Sequence, residues 1–164
     1  IVERLRNWLL ESGERFDVVE AVVSAQGANP ARAALAVGQL AAWTARPDWH
    51  RILPAYARCV RIIRSAGGSV ADTYQPLPDT DPAESDLYAA LQTAEAALGS
   101  ASGSRTPDDV LNAFLPMIPA VDRFFEAVLV MAEDPQVRLN RLALMKRIAA
   151  LAEGAADLAK LEGF

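Results

Sequence analysis

The stretch from Pro119 to Phe164 decides the fold, and it reads PAVDRFFEAVLVMAEDPQVRLNRLALMKRIAALAEGAADLAKLEGF. It holds two apolar runs of helical spacing, separated by a turn at Glu133-Asp134-Pro135. Asp134 is a good N-cap, and Pro135 suits the first helical position, where a missing N–H costs nothing. The pattern therefore predicts one helix as far as Ala132 and a second, long helix from Pro135 to the end of the chain.

Each of these two apolar stripes contains one charged residue, Asp122 in the first and Arg141 in the second. Burying an isolated charge is very costly, and a hydrogen-bonded pair removes most of that cost. We therefore predict that Arg141 pairs with a carboxylate, with Asp122 as the first candidate and Glu126 or Glu133 as the others. The first stripe consists of Ile118, Phe125, Leu129 and Ala132. The second consists of Val137, Leu144, Ile148, Leu151, Ala155 and Leu158.

The chain has 164 residues, of which 52% are apolar and 23% are charged, and this composition is typical of a globular domain. A single cysteine excludes an internal disulfide and a cysteine-based metal cluster, and it is consistent with a reducing cytoplasm. No apolar run reaches the roughly 20 residues that a membrane-spanning helix needs. The chain opens within a helical pattern and without a methionine, so we expect a piece of a longer protein.

Almost every periodic segment has helical spacing, and no strand pattern of useful length is present. The pattern predicts an all-α bundle of about seven to eight helices. We expect a single domain over residues 1–164, with a loop around 67–81. Residues Gly99–Ser104 form a predicted flexible turn, because they consist only of glycine, serine and alanine.

Capping residues mark two further helix starts. Asn29 precedes Pro30, and Thr106 forms a predicted capping box with Asp109. In the alanine-rich helix that follows Asn29, Leu35, Gln39 and Ala42 are expected to lie roughly on one face. Pro54 lies in the first turns of the next helix, as a kink or a restart.

The net charge is −5, but its distribution is uneven. Eight acids and one arginine lie between Asp72 and Asp109, whereas four arginines and one acid lie between Asp48 and Arg64. The four arginines are Arg51, Arg58, Arg61 and Arg64. They form either a solvated helix face or a surface for nucleic-acid phosphate, to which arginine brings charge and bidentate geometry.

Aromatic residues and a second basic segment lie near this helix in the sequence. Trp43, Trp49 and Tyr56 have the apolar spacing of core residues, and the alternative is that they stack on unpaired bases. The second basic segment contributes Arg138, Arg141, Lys146 and Arg147. For Arg141 the alternative to an internal pair is a contact with RNA.

No catalytic motif is present, neither a glycine-rich phosphate loop nor GxSxG, HExxH or CxxC. The single histidine, His50, has no partner signature and is expected on the surface beside Trp49. Cys59 lies in the apolar stripe of its helix, which indicates a buried small side chain rather than a reactive thiol. We expect no catalytic residue and no metal site in this chain.

Two segments resemble a known family. They are FDVVEAV at Phe16–Val22 and VDRFFEAVLVMAEDPQVRLNRLALMKRIAAL at Val121–Leu151. The second is similar to the C-terminal region of the bacterial glycyl-tRNA synthetase β subunit, whose VDxFFDxVMVMAED…xNRLALL pattern has the same spacing. The resemblance spans the whole chain in order and is dense in the last third.

This resemblance implies an all-helical, DALR-type anticodon-binding domain in the cytoplasm. The implied partners are tRNA-Gly and the remainder of the synthetase, either a catalytic α subunit or a fused α-like half, and no DNA or membrane is expected. Catalysis, with ATP and Mg²⁺, would then lie elsewhere in the parent enzyme, and no cofactor is expected in this domain. The tRNA-binding candidates are Arg51, Arg58, Arg61 and Arg64.

The chain departs from the family pattern at several positions. The literal Asp-Ala-Leu-Arg string is absent, and Ala36 and Gly38 stand where the third helix of the family often has basic residues. In the fourth helix Arg58 keeps its basic position, whereas Cys59 replaces an arginine and Ile62 an asparagine. The alternative function, which the strongly acidic middle of the chain would suit, is a helical scaffold or subunit-interface module that does not contact RNA.

Overall fold

The structure, a computed structural model, describes residues 1–67, 70–100 and 104–164. Within them lie eight α-helices: α1 (Val2–Glu11), α2 (Phe16–Gln26), α3 (Pro30–Thr44), α4 (Trp49–Ser65), α5 (Pro82–Leu98), α6 (Pro107–Phe114), α7 (Ile118–Ala127) and α8 (Pro135–Ala150). These residues contain no β-strand, which confirms the predicted all-α class. Positions 68, 69 and 101–103 lie outside the described residues, and with them parts of the predicted loop at 67–81 and turn at 99–104.

The chain forms two compact units, each made of separate segments. The first contains Ile1–Pro54, Leu98–Asn112 and Ala152–Phe164, and the second contains Ala55–Ala97 and Ala113–Leu151. The predicted single domain over residues 1–164 stays a prediction.

In the first unit α2 packs against α1, α3 and a short 3-10 helix, Leu158–Lys160. Its valines at positions 18, 19, 22 and 23 are buried, as the apolar face of this helix predicts. The C-terminal segment is fastened to α2 by hydrogen bonds. Gln26 Nε2 donates to the carbonyl oxygen of Ala155 (2.7 Å), and the Ala21 carbonyl oxygen accepts from the amide of Asp157 (2.7 Å).

The predicted caps are confirmed. Asn29 Oδ1 accepts from the amide of Arg32 (3.2 Å), and Asp134 Oδ1 accepts from the amide of Gln136 (2.8 Å). At the start of α6 the capping box closes in both directions. The amide of Thr106 donates to Asp109 Oδ2 (2.9 Å), and the amide of Asp109 donates to Thr106 Oγ1 (3.2 Å).

The face of α3 that carries Leu35, Gln39 and Ala42 is not the face that the helix buries. Leu35 and Ala42 are exposed, and Gln39 is half-buried, with its Oε1 accepting from the amide of Asp108 (3.2 Å). Alanines on several sides of the helix made the pattern ambiguous. The residues that α3 buries are Ala33, Ala36, Val37, Leu40 and Trp43. In the next helix, α4 continues through Pro54 without a restart.

The predicted helix as far as Ala132 is also wrong, because α7 ends at Ala127 and Val128 has extended backbone angles (φ −122°, ψ 133°). Beyond the end of α7, Val128 and Val130 are buried (8% and 4% exposed), whereas Leu129 is 69% exposed and Met131 39%. The helical stripe that included Leu129 is therefore not formed.

The predicted long helix to the end of the chain is wrong as well, because α8 ends at Ala150. Turns follow, and Gly154 adopts a positive φ of 77°, a conformation that interrupts a right-handed helix and that glycine adopts readily. Leu151, Ala155 and Leu158 are nevertheless buried, so their apolar character was read correctly although their conformation was not.

Candidate nucleic-acid interface

The basic helix α4 carries all four of the arginines that the sequence selects, and each of them is exposed. Arg51 belongs to the first unit, whereas Arg58, Arg61 and Arg64 belong to the second. We call these last three the α4 arginines. Their spacing of three residues places successive side chains along one side of the helix. The second unit thus presents three guanidinium groups on one helix.

Arg58 is held loosely. Its Nη2 atom lies 3.3 Å from Asp122 Oδ1, and the two side chains are 45% and 35% exposed. The guanidinium carbon also lies 5.6 Å from the ring centroid of Phe125. An ion pair this exposed contributes only about 0–1 kcal/mol to stability, so breaking it costs the fold little.

The basic residues of α8 serve the fold instead. Arg138 Nη1 donates to the carbonyl oxygen of Ala132 (3.0 Å), and Lys146 pairs with Asp72. Arg147 Nε donates to Glu95 Oε1 (3.0 Å), and hydrogen bonding to Glu95 raises the pKa of the Arg147 guanidinium. These three cations are engaged with protein groups, and Arg138 and Arg147 are also half-buried, whereas the α4 arginines are exposed.

Arg141 pairs with Glu84 and not with Asp122, Glu126 or Glu133, so the predicted partner was wrong. Arg141 Nε donates to Glu84 Oε2 at 2.8 Å, and Nη1 donates to the carbonyl oxygen of Leu129 at 2.8 Å. The Arg141 and Glu84 side chains are only 16% and 4% exposed. Asp122 forms an ion pair with Arg58 instead. The prediction that Arg141 pairs with a carboxylate is confirmed. The choice of Asp122 as its partner was wrong because it rested on a predicted helix that ran as far as Ala132.

Glu84 was missed, although the sequence contained a signal for it. It lies three residues before Leu87 and seven before Leu91, which places it on the buried face of α5. Its Oε1 accepts from the Tyr74 hydroxyl (3.1 Å). Burial, together with the charge of Glu84, raises the pKa of Tyr74, so this phenol remains a donor.

Asn140 is a second buried polar residue that fastens the segment before α5. Its Oδ1 accepts from the Gln75 amide (2.8 Å), and its Nδ2 donates to the Gln75 carbonyl oxygen (2.7 Å). These two hydrogen bonds satisfy the amide and carbonyl groups of Gln75, which lies in a segment without secondary structure. Residues 70–81 are therefore tied to α8 through Asn140 and to α5 through Tyr74.

The aromatic residues near α4 are mainly structural. Trp43 is buried in the first unit and donates from Nε1 to Asp108 Oδ1 (2.8 Å). Tyr56 is buried in the second unit, where its hydroxyl donates to the carbonyl oxygen of Ala149 (2.8 Å) and its ring meets Phe114 edge-on. Trp49 is half-buried. Trp43 and Tyr56 therefore occupy the core positions that their apolar spacing predicts.

The single histidine and the single cysteine lie as predicted. His50 is exposed, with Nδ1 2.8 Å from the carbonyl oxygen of Pro47. Cys59 is fully buried, and burial raises the pKa of its thiol to about 12. Across residues 1–67, 70–100 and 104–164, no helix has both the length and the apolar character needed to cross a bilayer.

Comparison with known proteins gives a family and several close relatives. Residues 52–162 match the family described as DALR anticodon binding domain. The chain is 42% identical over 151 residues to the glycine–tRNA ligase beta subunit of Anaeromyxobacter dehalogenans (strain 2CP-C), covering 91% of this chain and 22% of the relative. It is 34% identical over 166 residues to the same subunit of Aromatoleum aromaticum, covering 97% and 23%. The chain thus spans less than a quarter of the length of these relatives.

Proposed function

The chain belongs to the DALR anticodon binding domain family, and we propose that it docks tRNA-Gly as a non-catalytic module of a glycine–tRNA ligase. The observation that carries this proposal is the family match, which includes the α4 arginines within residues 52–162. The relatives named glycine–tRNA ligase beta subunit supply the choice of tRNA.

The physical basis of docking is phosphate binding by an arginine-bearing helix. Each guanidinium of the α4 arginines offers charge and a planar set of donors to a phosphate oxygen pair. Arg58 exchanges its exposed pair with Asp122 for a phosphate, at little cost to the fold. Such contacts position the RNA, and sequence is then read from the unpaired bases of the anticodon loop.

The rest of the enzyme supplies the chemistry in this proposal. Aminoacylation, with ATP and Mg²⁺, takes place in a catalytic α subunit or in a fused α-like half, and this chain binds the remainder of the synthetase as well as the tRNA. The cytoplasm is the compartment in which such an enzyme works. We propose neither a membrane nor DNA as a partner.

The experiment is a titration of the purified chain with tRNA-Gly and with the same tRNA carrying a different anticodon. Both titrations run from about 50 to 200 mM salt, a range over which phosphate contacts lose much of their strength. We expect tighter binding of tRNA-Gly at each salt concentration and an affinity that falls as salt rises. Circular dichroism of the same sample establishes that the chain is folded.

Two results would overturn the proposal. A folded chain that binds neither tRNA at about 50 mM salt has no RNA-docking function of its own. Equal affinity for the two tRNAs across the series would leave only sequence-independent phosphate binding, without anticodon recognition.

A second function, as a subunit-interface module, is favoured by a groove in the first unit. The groove has a volume of about 520 Å³ and lies between α1 and α3, where Leu5, Trp8, Pro30 and Ala34 line it. Trp8 is 56% exposed, and large apolar groups at a surface often mark interaction sites. We propose the remainder of the synthetase as the occupant. Trp8→Ala should then weaken binding of a recombinant catalytic subunit while tRNA affinity is unchanged, and equal capture by both forms would argue against this role.

A further inference from the structure

The second unit contains a recess beside its buried ion pair. Its volume is about 270 Å³, and it is lined by the turn at residues 77–80 together with Glu84 of α5 and Val137 and Arg141 of α8. Pockets for drug-sized ligands typically measure about 300–1,000 Å³. The recess is thus suited to a small group, such as a single planar ring system, rather than to a large ligand.

The walls of the recess are held in place. Thr80 Oγ1 accepts from the amide of Leu77 (2.9 Å) and donates to the Leu77 carbonyl oxygen (2.6 Å), which closes the turn. Glu84 is fixed by Tyr74 on one oxygen and by Arg141 on the other. A site whose groups are already fastened loses little entropy when a ligand enters.

The polar groups of the recess select for a neutral ligand. Arg141 uses Nε and Nη1 within the protein, and its Nη2 has no hydrogen-bond partner among the described residues. Asp79 is exposed at the rim, also without a partner in the part of the chain that the structure describes. Because Glu84 and Asp79 outweigh the single positive charge of Arg141, a phosphate group is disfavoured here.

The remaining groups match the edge of a nucleobase. Arg141 Nη2 offers a donor for a carbonyl oxygen, Asp79 offers an acceptor for an exocyclic amine, and Leu77 and Val137 offer apolar surface to a ring face. Cytosine and guanine carry both a carbonyl oxygen and an exocyclic amine, whereas uracil lacks the amine. An unstacked base of a single strand exposes this edge and both of its faces.

We propose that the recess is a subsite for one unpaired nucleobase of the bound RNA, cytosine or guanine. The inference rests on the proposed function, because it presumes that the chain docks RNA. Residues 122–129, which include the end of α7, connect the surroundings of Arg58 with those of the recess. Asp122, the partner of Arg58, and Leu129, whose carbonyl oxygen binds Arg141, are seven positions apart, with five helical residues and Val128 between them, a separation on the order of 10–15 Å. A strand of two or three nucleotides can span that separation.

The first test does not depend on RNA binding. Methyl-labelled chain is titrated with cytidine, guanosine and uridine, and the methyl signals of Leu77, Thr80 and Val137 are followed by NMR. Cytidine or guanosine should shift these signals while uridine shifts them several-fold less at the same concentration. The methyls of Leu35, on the first unit, serve as the internal control. The proposal would be overturned if cytidine and guanosine caused no shift, or if uridine shifted the recess methyls as much as they do. It would also be overturned if the Leu35 methyls shifted as much as those of the recess.

The second test uses variants with tRNA-Gly. Val137→Trp fills the recess from a half-buried position, and Asp79→Asn alters the acceptor, with Glu126→Gln as the matched change at an exposed carboxylate. Replacing the bound base by an abasic nucleotide should cost the parent chain about tenfold in affinity but cost the Val137→Trp chain less than twofold. Asp79→Asn should reduce the preference for the amine-bearing base, and Glu126→Gln should not.

The outcomes separate the two proposals. If the chain binds tRNA-Gly and Val137→Trp, folded by circular dichroism, retains the full abasic penalty at every loop position, the recess is not a base subsite although RNA docking stands. If the parent chain binds no tRNA, the RNA-docking function fails and the subsite fails with it.

Discussion

The Arg141 guanidinium on α8 pairs with the Glu84 carboxylate on α5, with 2.8 Å between Nε and Oε2, and both side chains are largely shielded from solvent. The same guanidinium donates from Nη1 to the carbonyl oxygen of Leu129, in the extended segment that follows α7. Arg141 thus joins α8 to α5 and also satisfies a backbone carbonyl group just after the end of α7. Arg141 holds together the part of the second unit that contains the recess.

Removing Arg141 should be strongly destabilising. In Arg141→Met the Glu84 carboxylate stays buried without its cation, a situation that typically costs about 3–5 kcal/mol. The measurement is the free energy of unfolding from urea denaturation. The double variant with Glu84→Gln should recover part of the loss, because no unpaired charge is then buried. The control is Arg123→Ala, whose distant, exposed pair with Asp86 should change stability by less than about 0.5 kcal/mol. Equal effects in the two single variants would contradict this assignment.

The thiol of Cys59 should be inert in the folded protein. Burial raises its pKa to about 12 and also shields the sulfur, whereas reaction with a disulfide reagent needs an accessible thiolate. At pH 8 the folded chain should react with Ellman's reagent only as fast as it opens, and the denatured chain should react at once. Rapid stoichiometric labelling under native conditions would show that α4 does not bury this residue.

Acid should weaken the attachment of the C-terminal segment to α2. Burial of Asp17 opposes its ionisation, but hydrogen bonds from the Glu162 amide (2.9 Å) and from Arg15 outweigh this effect and lower the pKa of the carboxyl group below 3.8. A carboxylate whose folded pKa is lowered stabilises the fold fully above its unfolded pKa, and this stabilisation is lost as the pH falls through the folded value.

The matching experiment compares Asp17→Asn with the parent chain from about pH 7 to pH 2, around the ordinary aspartate pKa of about 4. At neutral pH the variant should be less stable by about 1.5 kcal/mol, the contribution of a hydrogen bond to a charged group. The difference should shrink below about pH 4. A difference that does not depend on pH would show that the Asp17 charge has no role in this attachment.

Replacing the α4 arginines should weaken RNA binding without unfolding the chain. Arg58→Ala/Arg61→Ala removes two phosphate partners, so the slope of log affinity against log salt should decrease by about 1.4, at roughly 0.7 per single-strand phosphate. Arg4→Ala removes one exposed arginine from the first unit and serves as the charge control. A double variant with the parent slope would exclude these arginines as phosphate contacts.

The sequence predicted most of the helices and their caps, because these depend on neighbouring residues. Asp134 and Asn29 are predicted as caps because each is a capping residue directly before a proline, and the Thr106–Asp109 pair is predicted from its spacing. The end of α7 at Ala127 was not predicted, because residues Val128 to Met131 are all apolar and therefore also satisfy a helical pattern. In the structure, Arg141 and Arg138 of α8 bind the carbonyl oxygens of Leu129 and Ala132, and contacts from a distant helix are not visible in a local pattern.

The candidate site was predicted in part. The exposure of the α4 arginines follows from their spacing opposite the apolar stripe of Ile52, Tyr56 and Cys59, three residues that the structure buries. The recess could not be predicted, because its lining comes from three segments, of which residue 77 and Arg141 are far apart in the chain. Glu84 lay within reach of sequence reasoning, since it continues the stripe of Leu87 and Leu91 by one turn.

Footprinting can establish whether this chain recognises the anticodon of tRNA. End-labelled tRNA-Gly is treated with hydroxyl radicals in the presence and absence of the chain, and cleavage is read at every nucleotide. If the chain reads the anticodon, protection should be concentrated in the anticodon loop and lost with Arg58→Ala/Arg61→Ala. Protection confined to the acceptor stem, or a cleavage pattern that saturating chain leaves unchanged, would contradict it.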